Sequence, residues 1–149
     1  MSKSIQIQRE ELSTQIVNKL LWELDSQFAE RISQSVIIED YAKKLSENAS
    51  FISAKYDDNY IGVCAFYIND VNREYYIPYV CISTSYRNMG IASKMFDEIC
   101  KNADSNKFDI SLEVRNDNVN AMNLYRKYGF IEVCTSESKT FMTRKYRSQ

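Results

Sequence analysis

The sequence contains no histidine and very little glycine or proline. Its 149 residues include three glycines and one proline. Without histidine, the Ser-His and Cys-His pairs that activate nucleophiles are excluded, and so are zinc sites of mixed cysteine and histidine. Any general base must be a carboxylate, a lysine, a tyrosine or a water chain. No Pro/Gly-rich linker divides the chain, so we predict one domain over residues 1–149.

Long apolar runs are also absent. No run approaches the ~18 residues that a membrane-spanning helix needs, and residues 1–11 lack the pattern of a signal peptide. We therefore expect a cytoplasmic protein without a membrane partner. The net charge of −1 gives no reason to expect a nucleic-acid partner. The cysteines have no C-x-x-C spacing, which predicts reduced thiols in or near the core and no metal site. They are Cys64, Cys81, Cys100 and Cys134.

The hydrophobic periodicity predicts an α+β protein whose elements run α-α-β-β-β-α-β-α-β-β. The predicted helices are residues 9–28, 41–47, 91–101 and 118–128. The segment between the first two helices is predicted to be irregular. The predicted strands are residues 51–56, 60–68, 75–82, 109–114, 131–135 and 141–144.

The loop before the third predicted helix contains Gly90. Backbone N–H groups at a helix N-terminus bind phosphate readily. A glycine is needed there if the backbone turns tightly or approaches a ligand closely. Arg87 would add a guanidinium beside the anion. An ordinary strand-to-helix loop with one glycine would also give this pattern, so the loop alone is weak support for a nucleotide cofactor.

A second pattern lies downstream, in residues 112–130. Together with the loop it resembles the GCN5-related N-acetyltransferase (GNAT) family. That family has a first motif Q/R-x-x-G-x-G/A and a later segment that is roughly L-x-V-x-x-x-N-x-x-A-x-x-L-Y-x-K-x-G-F. The positions that match the later segment are Leu112, Val114, Asn118, Ala121, Leu124, Tyr125, Lys127, Gly129 and Phe130. The resemblance covers roughly residues 60 to 135. Ala92 replaces the commoner second glycine, and Asn88-Met89 replaces the usual small or basic pair.

The resemblance implies a mixed, mostly antiparallel sheet flanked by helices, with a bulge and a V-shaped splay between two parallel strands. Pro78 agrees with this, because it cannot donate a ladder hydrogen bond inside the strand before the loop. Without the two motifs, an edge-strand proline with no ligand nearby would be the simpler interpretation. The resemblance also implies acetyl-CoA as co-substrate. The residues that would bind it are Val80, Cys81, Ile82, Arg87, Asn88, Met89, Gly90, Ile91, Ala92, Ser93, Asn118 and Tyr125.

Two residues are candidates for catalysis. In the strand 109–114, polar residues alternate with apolar ones, and the polar side is expected to face water or a cleft. Glu113 on that side matches the glutamate that acts as base in part of the family, in an L-E-V-R segment. A surface glutamate paired with a lysine or an arginine is the alternative. Tyr125 matches the tyrosine that protonates the departing sulfur, although with eleven tyrosines a core role is the default.

The resemblance implies an acetyl-CoA-dependent N-acetyltransferase that acts on a primary amine of a small molecule, such as an amino sugar, by direct attack in a ternary complex. Acetylation of a peptide N-terminus is the first alternative, and a non-catalytic acyl-CoA-binding module is the second. A homodimer through the last strands is a habit of the family. A tyrosine-rich set would shape the acceptor site: Phe28, Tyr41, Tyr75, Tyr76 and Tyr79. The basic residues of the tail, Arg144, Lys145 and Arg147, are expected to be solvated.

Overall fold

The structure is a computed structural model that describes residues 4–25 and 37–148. The described residues form one seven-stranded sheet with strand order β1-β2-β3-β4-β5-β7-β6. The strands are β1 (Ile5–Glu10), β2 (Ser50–Tyr56), β3 (Asn59–Asn69), β4 (Glu74–Ile82), β5 (Asp109–Arg115), β6 (Ile131–Thr135) and β7 (Lys139–Arg144). The helices are α1 (Thr14–Asp25), α2 (Ile38–Asn48), α3 (Ile91–Asn106) and α4 (Val119–Lys127). The α+β prediction is confirmed.

The start of the first predicted helix is wrong. Residues 5–10 form β1, which pairs antiparallel with β2 from Ile5 opposite Tyr56 to Glu10 opposite Phe51. The helix begins only after Ser13, whose Oγ accepts the N–H of Ile16 at 3.3 Å and so caps α1. The rest of the predicted helix, residues 26–28, and most of the predicted irregular segment, residues 29–36, lie outside the described residues.

The chain forms two compact units, and β3, β4 and α3 each contribute to both. The first unit comprises the residues up to Ala65 together with Tyr79–Met95. In this unit the buried positions of α1 and α2 recur at helical spacing, so each helix has one apolar side that packs on the sheet. The residues that line a shared apolar pocket there are Leu12, Val17, Leu20, Leu21, Leu45, Phe51, Val63 and Tyr79.

The second unit comprises Phe66–Pro78 and the residues from Phe96 onward. Its core contains an aromatic cluster around Phe96, whose ring lies 5.3 Å from that of Tyr125 and 6.2 Å from that of Phe130. Helix α4 ends at Lys127, and Gly129 just beyond it has φ +94°. The N–H of Phe130 donates to the carbonyl of Tyr125 at 3.0 Å. This left-handed turn sends Phe130 back into the core.

The expectation of a solvated basic tail is wrong for Arg144. Its guanidinium donates to both carboxylate oxygens of Asp104, at 2.8 and 3.0 Å, and its Nε donates to the carbonyl of Tyr128 at 2.8 Å. The side chain of Arg144 is 4% exposed. A buried guanidinium needs such partners because burying a lone charge is costly. Arg144 therefore links α3, α4 and β7 within the second unit.

The four cysteines, all within the described residues, form no disulfide. Three are buried, and Cys134 is exposed. Burial raises the pKa of Cys100 to about 11, so its thiol stays protonated at neutral pH.

Candidate functional site

The parallel pairing of β4 with β5 ends beside Pro78. It runs from Glu74 opposite Asp109 to Ile77 opposite Leu112, although β4 itself continues to Ile82. Proline has no N–H to donate to a ladder, so the pairing stops where the sequence predicted an interruption.

Two side chains of β4 are placed by their neighbours. In the first unit, a Cβ at Gly62 would lie 3.4 Å from Ile82 and 3.5 Å from Met95 of α3, so Ile82 faces that helix. In the second unit, Tyr75 faces α3, because its hydroxyl donates to Asn102 at 2.5 Å. The bulge that the resemblance implied in this strand stays a prediction.

The end of β4, residues 80–82, is held closely against β3. The carbonyl oxygen of Cys81 would lie 3.3 Å from a Cβ at Gly62, and the N–H of Ser83 donates to the carbonyl of Ile61 at 2.8 Å. The side chain of Cys81 is buried, while Val80 and Ile82 are half-buried.

The loop that follows makes a sharp turn into α3. Residues 87–90 are all exposed, and Asn88 and Gly90 adopt φ of +63° and +76°. A Cβ at Gly90 would have no atom within 4 Å, so the glycine is there for its backbone conformation and not for lack of space. Ile91 is buried and anchors the first turn of the helix. The sequence did not reveal that Asn88 shares the left-handed conformation, although asparagine tolerates it well.

This turn is suited to an anion. The first four N–H groups of an α-helix have no partner within the helix, and they carry its partial positive charge. The turn leaves open space over Gly90, and Arg87 stands exposed beside it. The residues predicted to hold phosphate, 87–93, thus include an exposed turn and the first turn of a helix of 16 residues.

In the second unit, Glu113 is exposed on β5, as predicted, and its partner is a phenol. The hydroxyl of Tyr76 donates to Glu113 Oε1 at 3.3 Å. The pKa of Tyr76 is raised by burial first, then by the charge of Glu113 and this hydrogen bond, with a smaller contribution from Tyr67. The polar side of β5 is not open along its whole length, because Ser111 is fully buried and bonded to Thr143 at 3.0 Å.

Tyr67 is a residue that the sequence did not bring to attention. It lies on β3, its hydroxyl oxygen is buried, and among the described residues that oxygen has no hydrogen-bond partner. Burial raises the pKa of Tyr67. No sequence pattern singles out Tyr67 among the eleven tyrosines that are scattered over the chain.

The later motif places Asn118 and Tyr125 on α4. Asn118 is the N-cap, since its side chain accepts the N–H of Ala121 at 3.2 Å. Tyr125 is 8% exposed, and its ring contacts those of Phe96 and Phe130. The aromatic cluster therefore fixes the orientation of the Tyr125 ring.

The expected tyrosine-rich acceptor surface is only partly present. Tyr75 is wrong for that purpose, because it is buried between Phe66 and Phe108. Tyr41 and Tyr79 stack edge to face in the first unit with centroids 6.3 Å apart. Phe28 lies outside the described residues.

The chain belongs to the acetyltransferase (GNAT) family, because the model of that family matches residues 15–130. This confirms the resemblance inferred from residues 87–92 and 112–130, and it identifies the class of enzyme as an acyltransferase. Among the described residues, no helix combines the length and the apolar character that crossing a membrane requires.

Solved structures of N-acetyltransferases have the same fold. The ribosomal-protein-S18-alanine N-acetyltransferase from Escherichia coli matches with a TM-score of 0.79 and 14% identity, over 97% of this chain and 96% of that one. The PaiA N-acetyltransferase from Thermoplasma acidophilum, in complex with coenzyme A, matches with a TM-score of 0.77 and 21% identity, over 95% of this chain and 99% of that one. A chimera of the spermidine N-acetyltransferase SpeG from Vibrio cholerae with hSSAT matches with a TM-score of 0.75 and 15% identity, over 94% of this chain and 95% of that one.

Proposed function

We propose that this chain transfers the acetyl group of acetyl-CoA to a primary amine of a small molecule, such as an amino sugar, by direct attack in a ternary complex. Family membership supports acetyl transfer. The observation that carries the proposal is the exposed turn before α3, with its left-handed Asn88 and Gly90. Acetyl-CoA supplies an activated thioester and a diphosphate that this turn suits.

The proposed cofactor residues fit different parts of coenzyme A. The N–H groups at the start of α3 would bind the diphosphate, and Arg87 would add a positive charge. The backbone of residues 80–82 would pair with the pantetheine arm, as in other members of the family. Asn118 would contact the same arm in addition to capping α4. The full set is Val80, Cys81, Ile82, Arg87, Asn88, Met89, Gly90, Ile91, Ala92, Ser93, Asn118 and Tyr125.

Glu113 is the proposed base. An alkyl ammonium with a pKa of about 10.4 needs about 4.6 kcal/mol to lose its proton at pH 7, and the cost is smaller for a less basic amine such as an amino sugar. A carboxylate that accepts the proton, directly or through water, supplies the route. The exposure of Glu113 supports this role, because an acceptor must be able to reach it.

Tyr125 is the proposed acid. As the amine nitrogen bonds to the acetyl carbon and the carbon–sulfur bond breaks, the phenol gives its proton to the sulfur and regains one from solvent. The contacts of its ring with Phe96 and Phe130 support the role, because they hold the hydroxyl in one orientation.

The activity is tested with the purified full chain, acetyl-CoA and a panel of amino sugars, polyamines and peptides. Release of the free thiol of coenzyme A is followed with a thiol reagent. We expect release with at least one small amine. Binding of acetyl-CoA without release for any amine would favour a non-catalytic module, and release only with peptides would favour N-terminal acetylation.

The cofactor site is tested at Gly90. Gly90→Ala puts a Cβ on a residue with φ +76°, which strains the turn by about 1–2 kcal/mol without creating a clash. We expect the affinity for coenzyme A, measured by calorimetry, to fall roughly tenfold. Gly129→Ala is the control for strain outside the turn, because it also places alanine at positive φ, after the end of α4, where its Cβ would in addition displace the end of the Arg147 side chain. Equal affinities in both variants would remove the turn from the proposal.

A further inference from the structure

Three polar side chains share one face of β3, β4 and β5 within the second unit: Tyr67, Tyr76 and Glu113. β3 ends two residues after Tyr67 and β4 begins two residues before Tyr76, so the two tyrosines lie opposite each other in this hairpin. Tyr76 is paired with Ser111 on β5, and Glu113 lies two residues further along on the same face.

The Tyr67 hydroxyl is not accounted for by the folded chain. Its oxygen is buried, and within residues 4–25 and 37–148 it has no hydrogen-bond partner. A buried hydroxyl without a partner is unfavourable, because burial removes its hydrogen bonds to water and no protein group replaces them. Phenylalanine would fill nearly the same volume without this cost. The unpaired hydroxyl lies on the same face as the proposed catalytic glutamate, and this position suggests that a ligand supplies its missing hydrogen-bond partner.

The oxygens of the three side chains are complementary to a particular group. The Tyr76 hydroxyl donates to Glu113 Oε1 at 3.3 Å, which leaves its own lone pairs and the second oxygen of Glu113 as acceptors. Tyr67 interacts electrostatically with Tyr76, in agreement with their opposite positions, and burial raises the pKa of both phenols, which are neutral at pH 7 in any case. A carboxylate and two phenol oxygens thus offer three acceptors and one negative charge. A primary ammonium carries three N–H donors and one positive charge.

We propose that the Tyr67 and Tyr76 hydroxyls and the Glu113 carboxylate bind the primary ammonium group of the acceptor, and that Tyr67 makes the site select primary over N-alkylated amines. This inference rests on the proposed transfer of acetyl to an amine. An N-methylated ammonium has one donor fewer and places a methyl group against an acceptor oxygen, so one buried polar atom stays unpaired.

The test compares the most active amine of the panel with its N-methyl derivative in the wild-type protein and in Tyr67→Phe. We expect the wild type to prefer the primary amine in kcat/KM by at least about tenfold, as loss of one hydrogen bond to a charged group predicts. In Tyr67→Phe we expect KM for the primary amine to rise about 10- to 100-fold and the preference to fall below about threefold. The melting temperature should be unchanged or higher, because an unpaired hydroxyl is removed.

Tyr60→Phe is the control for loss of a tyrosine hydroxyl away from the proposed site, because the Tyr60 hydroxyl donates to Glu10 in the first unit at 3.3 Å. It should leave both the KM and the preference unchanged. Equal use of the two amines by the wild type would overturn the inference without any variant. An unchanged preference in Tyr67→Phe would overturn it while acetyl transfer stands. Absence of turnover with every amine would overturn both.

Discussion

Replacing Asp104 with asparagine should destabilise the protein strongly, because it breaks a largely buried ion pair. The carboxylate accepts two hydrogen bonds from the Arg144 guanidinium and a third, at 2.9 Å, from the N–H of Arg147. The two side chains are only 11% and 4% exposed. Asp104→Asn would leave the guanidinium buried with an uncompensated charge.

The cost follows from that burial. Breaking a buried ion pair by removing one partner costs about 3–5 kcal/mol. For a chain of 149 residues, each kcal/mol lowers the melting temperature by about 2–4 °C, so the melting temperature should fall by roughly 6–20 °C. Asp104→Leu combined with Arg144→Met removes both charges and should recover most of the loss.

The effect should depend on pH. The Arg144 guanidinium lowers the pKa of Asp104, burial opposes this, and the N–H of Arg147 lowers the pKa further. Because the folded pKa lies below the unfolded value, the stabilisation is complete above the unfolded pKa and is lost as the pH falls through the folded pKa. The difference between wild type and Asp104→Asn should therefore be constant from pH 7 to about 5 and shrink below that.

Thermal and urea unfolding followed by circular dichroism measures both quantities. Asp117→Asn is the matched control: Asp117 also accepts two hydrogen bonds from one arginine, Arg115, but this pair is exposed. The control should not change the melting temperature measurably, because exposed pairs contribute little. A loss below about 1 kcal/mol in Asp104→Asn, or a loss equal to that of the control, would contradict the reasoning from burial.

Two further predictions concern the proposed chemistry. Glu113→Gln should lower kcat about 10²- to 10⁴-fold and Tyr125→Phe should lower it comparably, while calorimetry finds the affinity for coenzyme A nearly unchanged in Glu113→Gln; full activity in both variants would exclude the assigned roles. Gly62→Ala should weaken coenzyme A binding, because its Cβ would press on the Cys81 carbonyl at 3.3 Å and displace the end of β4; unaltered binding would mean that this strand end does not contact the cofactor.

Local chemistry made some features predictable. Pro78 lacks an N–H, so an interrupted ladder followed from the residue itself, and the pairing indeed ends at Ile77. The amide of Asn118 is a good cap, so the start of α4 was predictable to within one residue. The later motif is specific enough for the amino-acid sequence alone to indicate the family.

The features that the sequence did not predict depend on residues that lie far away in the sequence. Residues 5–10 form a strand because β2 pairs with them, although Leu12 extended the helical pattern of α1 backward. The bond from Tyr76 to Glu113 depends on the register of β4 against β5, which no local pattern reports. The burial of Arg144 depends on Asp104, forty residues earlier.

The length of β4 restricts which changes the strand can tolerate. Substitutions within β4 change one side chain each, but a single-residue deletion just after Pro78 would exchange the two faces of the sheet for the side chains that follow. Tyr79 would leave the apolar pocket beneath α1, and Ile82 would turn away from α3. Strand length is therefore under tighter constraint here than amino-acid identity.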